Sequence, residues 1–315
     1  MGRYWAYFDP DGKRITDRDE IERLNAIGLP PAYRDAWFCR DPDGHLQATG
    51  IDARGRKQYR YHPDFREKRD SAKYEGLLEF GQALPRLRRR IEHDLRRRKL
   101  GRDTVLAAVV RLLDTERIRV GNEEYAKANK SFGATTLRSR HLKRKGHKLM
   151  MRFAGKGGIV REVTVTDTNL KRIIKRCQEL PGQMLFQYVN SDGEPAPITS
   201  GDVNDYIRAA TGGDFTAKHF RTWGASVIAF EQMLKKAEDA RISIQTVIEP
   251  VAEALGNTPA ISRKSYVHPR LLEAVKADPR DPLGGLGRPP ARKRLSSAEV
   301  GLLEFLARRP RKRTA

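Results

Sequence analysis

Gly256-Asn-Thr-Pro-Ala-Ile-Ser-Arg-Lys-Ser-Tyr266 is the stretch on which the reading of this chain turns. Thr258-Pro259 is a helix start: a capping hydroxyl, then a proline whose missing N–H is not needed in the first turn. The short helix carries the chain from a side-chain amide, Asn257, to a phenol, Tyr266, nine residues on. A phenol can attack phosphorus, and positive charge such as that of Arg263 and Lys264 favours its ionised form. Taken alone, such a tyrosine is more often an ordinary helix residue, so the rest of the chain must supply its partners.

Composition points to where those partners would act. Lys plus Arg number 62 against 40 Asp plus Glu, a formal charge of +22. Such a surplus describes the partner, a polyanion, rather than the fold. No apolar run approaches the roughly 20 residues that span a bilayer, which argues against an anionic membrane as that partner. Met1-Gly-Arg-Tyr-Trp5 lacks the apolar core of a signal peptide, so a cytoplasmic location is expected. Cys39 and Cys177 have neither a disulfide framework nor metal-type spacing and read as small core hydrophobes. No nucleotide cofactor is expected, since Gly155-Lys-Gly-Gly158 lacks the spacing of a phosphate-binding loop, and no metal is expected.

The pattern predicts an α+β protein in three parts. Residues 1–73 form a small β-rich domain, with runs Ala36-Trp-Phe38 and Gln58-Tyr-Arg-Tyr61 and turns at Asp41–Gly44 and Gly50–Gly55. Residues 74–282 form a larger, mainly helical domain, opened by Leu87, Ile91 and Leu95 at spacings of four among many arginines. Asp103 is expected to cap a helix from Thr104 to about Arg117. Two strand-like runs, Lys148–Phe153 and Ile159–Val165, flank the hairpin sequence Ala154-Gly-Lys-Gly-Gly158. Helices follow over about 168–179, 201–211, 217–236, 243–255 and 259–267. Residues 283–315 read as a Gly/Pro linker, a short helix with a Ser296–Glu299 capping box, and a basic tail available for extra phosphate contacts.

Cleaving a phosphodiester with a side-chain nucleophile needs cations on the non-bridging oxygens, a proton for the leaving alkoxide and groups that hold the phosphate in line. Arg119, in Ile118-Arg-Val-Gly-Asn122, and Arg221, in Lys218-His-Phe-Arg-Thr-Trp-Gly224, offer planar forks that grip two oxygens and stay charged. Lys156 at the hairpin tip can give a proton to a departing 5′ oxygen. Asn257 can donate its amide, and Lys218 and His219 are further candidates to line the site.

These segments, Arg119–Asn122, Phe153–Lys156, Phe220–Gly224 and Gly256–Tyr266, together with Gly44–Gly50 and Gly55–Tyr61, resemble the type IB DNA topoisomerases of the bacterial and poxvirus-like group over roughly residues 20–270. The resemblance implies a DNA-relaxing enzyme that needs neither ATP nor metal and passes through a 3′-phosphotyrosyl intermediate at Tyr266. It places Arg119, Arg221 and Asn257 on the phosphate and makes Lys156 the proton donor. Many relatives carry His where this chain has Asn257, and an amide donates the same hydrogen bond but cannot titrate. It also implies that the first domain closes over the duplex, with Gln58, Tyr59 and Tyr61 on bases and Arg56, Lys57 and Arg60 on phosphates. The expected partner is double-stranded DNA, bound by a nucleoid-associated monomer. A tyrosine recombinase would share the tyrosine and arginines, but it usually carries His where this chain has Lys218, behind a helical front domain. A non-catalytic basic DNA-binding protein would leave the ordered constellation a coincidence.

Overall fold

Asp52 organises the first of the two units into which the chain divides, Met1–Glu75 and Gly76–Ala315. Its carboxylate accepts the backbone N–H groups of Arg54 and Arg56 at 2.9 and 3.0 Å, closing the turn between strands β2 (Leu46–Ile51) and β3 (Lys57–Tyr61). With β1 (Arg34–Phe38) these form an antiparallel sheet in the order β1-β2-β3. Gly50 and Ile51, expected in the turn, belong to β2: Gly50 packs against Tyr33 and Leu29, and Ile51 pairs with Arg34 and Lys57. A helix, α1 (Arg18–Ala26), precedes the sheet and is capped by the Asp17 carboxylate. The structure, a computed structural model, describes residues 5–66, 74–145, 148–235 and 241–308.

In the second unit α2 (Leu77–Leu95) and α3 (Arg102–Glu116) form a hairpin whose facing apolar stripes are buried. Leu87, Ile91 and Leu95 lie in the core as their spacing predicts. Asp103 is not the cap of α3. Gly101 takes that position, and Asp103 sits in the first turn, where the helix dipole favours an acid and where it pairs with Arg90 at 3.1 Å.

After α4 (Glu123–Asn129) comes a second antiparallel sheet, β4 (Leu142–Lys145), β5 (Lys148–Ala154) and β6 (Val160–Val165), in that order. Leu149, Met151 and Phe153 alternate into the core, which roots β5 beneath its exposed tip. Helices α5 (Thr168–Gln178), α6 (Ser200–Thr211), α7 (Ala217–Leu234), α8 (Ile244–Leu255), α9 (Pro259–Ser265) and α10 (Pro269–Ala277) complete the body, with a two-stranded ribbon of β7 (Gln187–Val189) and β8 (Pro195–Pro197) before α6.

The Gly/Pro segment after 282 does not behave as a free linker. Leu283 and Leu295 are buried, and α11 (Ser297–Ala307) packs Ala298, Val300, Leu302, Phe305 and Leu306 into the same core. Its Ser296–Glu299 capping box is present, and Glu299 also holds a buried ion cluster. Arg88 grips Asp114 through Nε and Nη2, both at 2.8 Å, and Glu299 through Nη1 and Nη2 at 2.9 and 2.7 Å. Trp223 Nε1 donates to the same Glu299 at 3.1 Å, so the C-terminal helix is wired to α7. Burial alone would lower the Arg88 pKa, but the two carboxylates hold it well above its ordinary value. Arg88→Ala leaves two buried carboxylates without a counter-ion and should cost about 3–5 kcal/mol; a urea midpoint equal to that of the unchanged protein would refute this reading. Residues 309–315 of the expected basic tail and residue 236, the expected end of α7, lie outside the described residues, as do residues 67–73 at the expected domain boundary.

Candidate active site

Arg119 is placed by an abrupt turn. Arg117, the C-cap of α3, adopts a left-handed conformation with φ of 54°, which redirects the chain so that Ile118 is buried and Arg119 emerges beyond it. The segment is then clamped by backbone bonds from Ala134 N to Arg119 O at 2.8 Å and Thr135 N to Val120 O at 2.7 Å. Contact here is so close that a Cβ on Gly133 would fall 2.5 Å from Arg119 O.

Arg221 lies on the buried face of α7 and is 5% exposed. Its Nη1 donates to Arg117 O and its Nη2 to Leu255 O at 3.2 Å, so one side chain ties the end of α3 to the end of α8. Phe220, Trp223, Val227 and Phe230 of the same helix are buried, as the apolar pattern predicts.

At the end of α8, Gly256 takes the left-handed cap with φ of 60°, and Asn257 N reaches back to Ala252 O at 3.0 Å. That cap aims the Asn257 side chain at Arg119, whose Nη2 donates to Oδ1 at 2.9 Å. Thr258 Oγ1 accepts from Ile261 N at 3.3 Å and Pro259 opens α9, as expected. Over seven residues α9 advances about 10 Å and ends at Tyr266, half-buried, with its ring centroid 4.9 Å from the Arg221 guanidinium carbon.

Arg119, Arg221, Asn257 and Tyr266, scattered over 148 positions of sequence, therefore converge. Burial by itself would raise the Tyr266 pKa. The charges of Arg221 and Arg119 and their hydrogen bonds outweigh it and hold the phenol below its ordinary value. Arg221 is pushed down to about 10, first by burial and further by Arg119 and Arg161, with Tyr266 opposing, and it stays charged at neutral pH. Among the described residues, two buried donors, Arg221 Nε and Asn257 Nδ2, have no acceptor. Buried donors beside two guanidinium groups form a place built for an anion.

Lys156 stands apart. It sits at the exposed tip between β5 and β6, where Gly157 and Gly158 adopt φ of 76° and 78°, and among the described residues no hydrogen bond or ion pair joins it to the other four. Arg161 on β6 instead joins the cluster, donating Nη2 to Ala254 O at 2.9 Å. Lys218 is exposed at the start of α7. His219 is half-buried: its Nδ1 accepts from Thr216 N at 3.0 Å, its ring stacks on Phe80 at 5.3 Å, and burial lowers its pKa.

In the first unit, Tyr59 and Tyr61 project from one face of β3, 49% and 43% exposed, with rings stacked 6.3 Å apart. Thr49 pairs with both Trp37 and Tyr59, so Trp37, 48% exposed, shares that face. Lys57 is exposed. The other three candidates for duplex contact are engaged within the unit. Gln58 Nε2 and Arg56 Nε donate to Asp52 Oδ2 at 2.9 and 2.8 Å, and Arg60 donates to Gly28 O at 3.1 and 3.2 Å.

The catalytic-core family described as "Eukaryotic DNA topoisomerase I, catalytic core" matches residues 62–279, and "Bacterial DNA topoisomerase IB, N-terminal domain" matches residues 4–52. The chain belongs to the type IB DNA topoisomerases. The DNA topoisomerase 1B of Acanthamoeba polyphaga mimivirus is 32% identical over 87% of this chain and 85% of its own length. The DNA topoisomerase 1 of Rabbit fibroma virus (strain Kasza) is 24% identical over 87% of this chain and 90% of its own. Among solved structures, the XerH site-specific recombinase bound to palindromic difH substrate, in its post-cleavage complex, aligns at 16% identity with a TM-score of 0.39. That alignment covers 60% of this chain and 50% of the recombinase chain.

This topoisomerase is thus a DNA-binding isomerase with a mainly helical catalytic body and small antiparallel sheets. No helix among the described residues is long and apolar enough to cross a membrane. The catalytic-core match stops at residue 279, yet α11 of the topoisomerase is built into the same core. Arg161 carried no signal in the sequence: it is one polar position in an alternating strand, and the carbonyl it holds, Ala254 O, lies 93 residues away.

Proposed function

We propose that this topoisomerase relaxes supercoiled duplex DNA with Tyr266 as nucleophile. The phenolic oxygen attacks the scissile phosphorus after losing its proton to solvent. A bond forms from phosphorus to Tyr266 while the bond from phosphorus to the 5′ oxygen breaks, and Lys156 gives that oxygen a proton. Arg119, Arg221 and Asn257 hold the non-bridging oxygens, where negative charge builds in the transition state. Because one phosphate ester replaces another, the reverse attack by the 5′ hydroxyl reseals the strand without ATP. Between the two steps the duplex rotates about the intact strand.

The observation that carries this reading is the convergence of Arg119, Arg221 and Asn257 on the Tyr266 phenol, with the donors Arg221 Nε and Asn257 Nδ2 lacking an acceptor among the described residues. For the first unit the same proposal places Tyr59 and Tyr61 in the major groove, with Lys57 on a phosphate and Arg56, Gln58 and Arg60 reaching DNA by exchanging their internal partners. Lys218 is assigned to backbone contact and His219 to bracing the start of α7 beside it. The enzyme acts as a monomer on chromosomal DNA in the cytoplasm. Incubation with supercoiled plasmid in EDTA without ATP should give a ladder of relaxed topoisomers. A gel shift with no relaxation would reduce the protein to a DNA binder, and strand exchange between sites would make it a recombinase.

A further inference from the structure

The hairpin that carries Lys156 is rooted at one end only. Phe153, buried in the core, pairs with Arg161, and Gly155 N bonds Ile159 O at 2.8 Å above that pair. Beyond it the tip is in solvent, and Ile159 and Val160 are 47% and 55% exposed. Arg161 is the residue that carries the base of this hairpin across to the turn after α8. Its Nη2 donates to Ala254 O, and its guanidinium lies so close to Gly256 that a Cβ there would meet Nη1 at 2.7 Å and Cδ at 3.3 Å.

The end of α8 explains why cations gather here. Its last carbonyls have no helical partner and carry the negative end of the helix dipole. Ala254 O takes Arg161 from β6, and Leu255 O takes Arg221 from α7. The two residues that follow are Gly256 and Asn257, so the hairpin and the anion site share one anchor. The arrangement opposes other terms. Burial lowers the Arg161 pKa and Arg119 lowers it further, with Glu116 in opposition. An apolar side chain would bury more comfortably at this position but could not hold Ala254 O.

We infer that Arg161 is a positioning residue, which fixes the β5–β6 hairpin to the α8–α9 turn so that Lys156 is held over the ester clasped by Asn257, Arg119 and Arg221. The inference rests on the assignment of Lys156 as proton donor. It makes Arg161 act on the leaving oxygen through Lys156, and not on the non-bridging oxygens.

A change of leaving group separates these possibilities. When sulfur replaces the 5′ bridging oxygen of the scissile phosphate, the departing thiolate needs no proton. Single-turnover cleavage is measured on matched oxygen and sulfur duplexes carrying a mapped cleavage site, with the full chain and its variants Lys156→Ala, Arg161→Gln and Arg161→Lys. Displacing a donor by an ångström costs on the order of 10²-fold, and Arg161→Gln should lose about that much on the oxygen ester. On the sulfur ester it should return close to the unchanged enzyme, alongside Lys156→Ala. Arg161→Lys, which keeps a cation within reach of the carbonyl, should show a smaller loss with the same rescue, and it serves if Arg161→Gln folds poorly. Rescue of Lys156→Ala without rescue of Arg161→Gln overturns the inference alone, as does normal cleavage of the oxygen ester by Arg161→Gln. If Lys156→Ala is slow on both esters, the proton-donor assignment fails and takes the inference with it.

Discussion

Tyr266→Phe should abolish both relaxation and the covalent protein–DNA adduct while leaving duplex binding intact. The substitution removes one atom, the proposed nucleophile. The ring that lies 4.9 Å from the Arg221 guanidinium carbon is kept, as is the backbone bond from Tyr266 N to Ser262 O at 3.1 Å that ends α9. The apolar contacts of the ring with the core are retained, so the helix and the caps that place Asn257 are not disturbed. Binding is carried by the cations of a chain with a formal charge of +22, and these are untouched. The decisive measurement is a denaturing gel of end-labelled duplex after incubation with enzyme. The unchanged protein should retain the strand that ends at the 3′ phosphate, and Tyr266→Phe should retain none. A denaturant-stable adduct formed by the variant would assign the attack to another residue.

Much of this geometry was open to reading because it rests on local chemistry. The Gly155–Gly158 hairpin, the Thr258-Pro259 helix start and the Ser296–Glu299 box each depend on residues within four positions of one another, and all three stand in the fold. The buried faces of α2 and α7 were legible because helical spacing, by fours in Leu87, Ile91 and Leu95 and by three and four in Phe220, Trp223 and Val227, has one efficient way to be buried. Two helices escaped notice although their signals were present: Asp17 before Arg18–Ala26, and Pro269 at the first turn of Pro269–Ala277. The segment after 282 misled for a different reason. Glycine and proline density marks irregular backbone, not exposure, and what fixes this segment is Glu299 meeting Arg88 across 211 positions. Arg161 belongs to the same class. Its value depends on the bare Cα of Gly256, a tertiary fact that no periodicity encodes.

Arg221→Ala should slow plasmid relaxation by at least about 10²–10³-fold, the usual cost of removing one donor from a site where an oxyanion develops. Two effects combine. The guanidinium no longer neutralises the non-bridging oxygens, and the phenol loses the cation that, with Arg119, outweighs its burial. The second effect has a sign that can be measured. Arg221 lowers the Tyr266 pKa, so its loss raises it, and less phenolate is present at a given pH. The rising limb of the cleavage rate against pH should therefore move to higher pH in Arg221→Ala, and the deficit should shrink as the solution becomes more alkaline. Because Arg221 also bonds Arg117 O and Leu255 O, the alanine variant loses two ties between helices, and Arg221→Lys is the necessary companion. Lysine keeps a charge but cannot span both carbonyls and a phosphate oxygen with a planar fork. It should shift the pH limb less than alanine does while remaining well below the unchanged enzyme in rate. Arg119→Ala should show the same loss and the same direction of shift, since Arg119 bonds Asn257 and lowers the phenol as well. The two arginines serve one transition state, so the double variant should cost far less than the product of the single losses. Relaxation near normal in either single variant would rule out an anion site at Arg119 and Arg221.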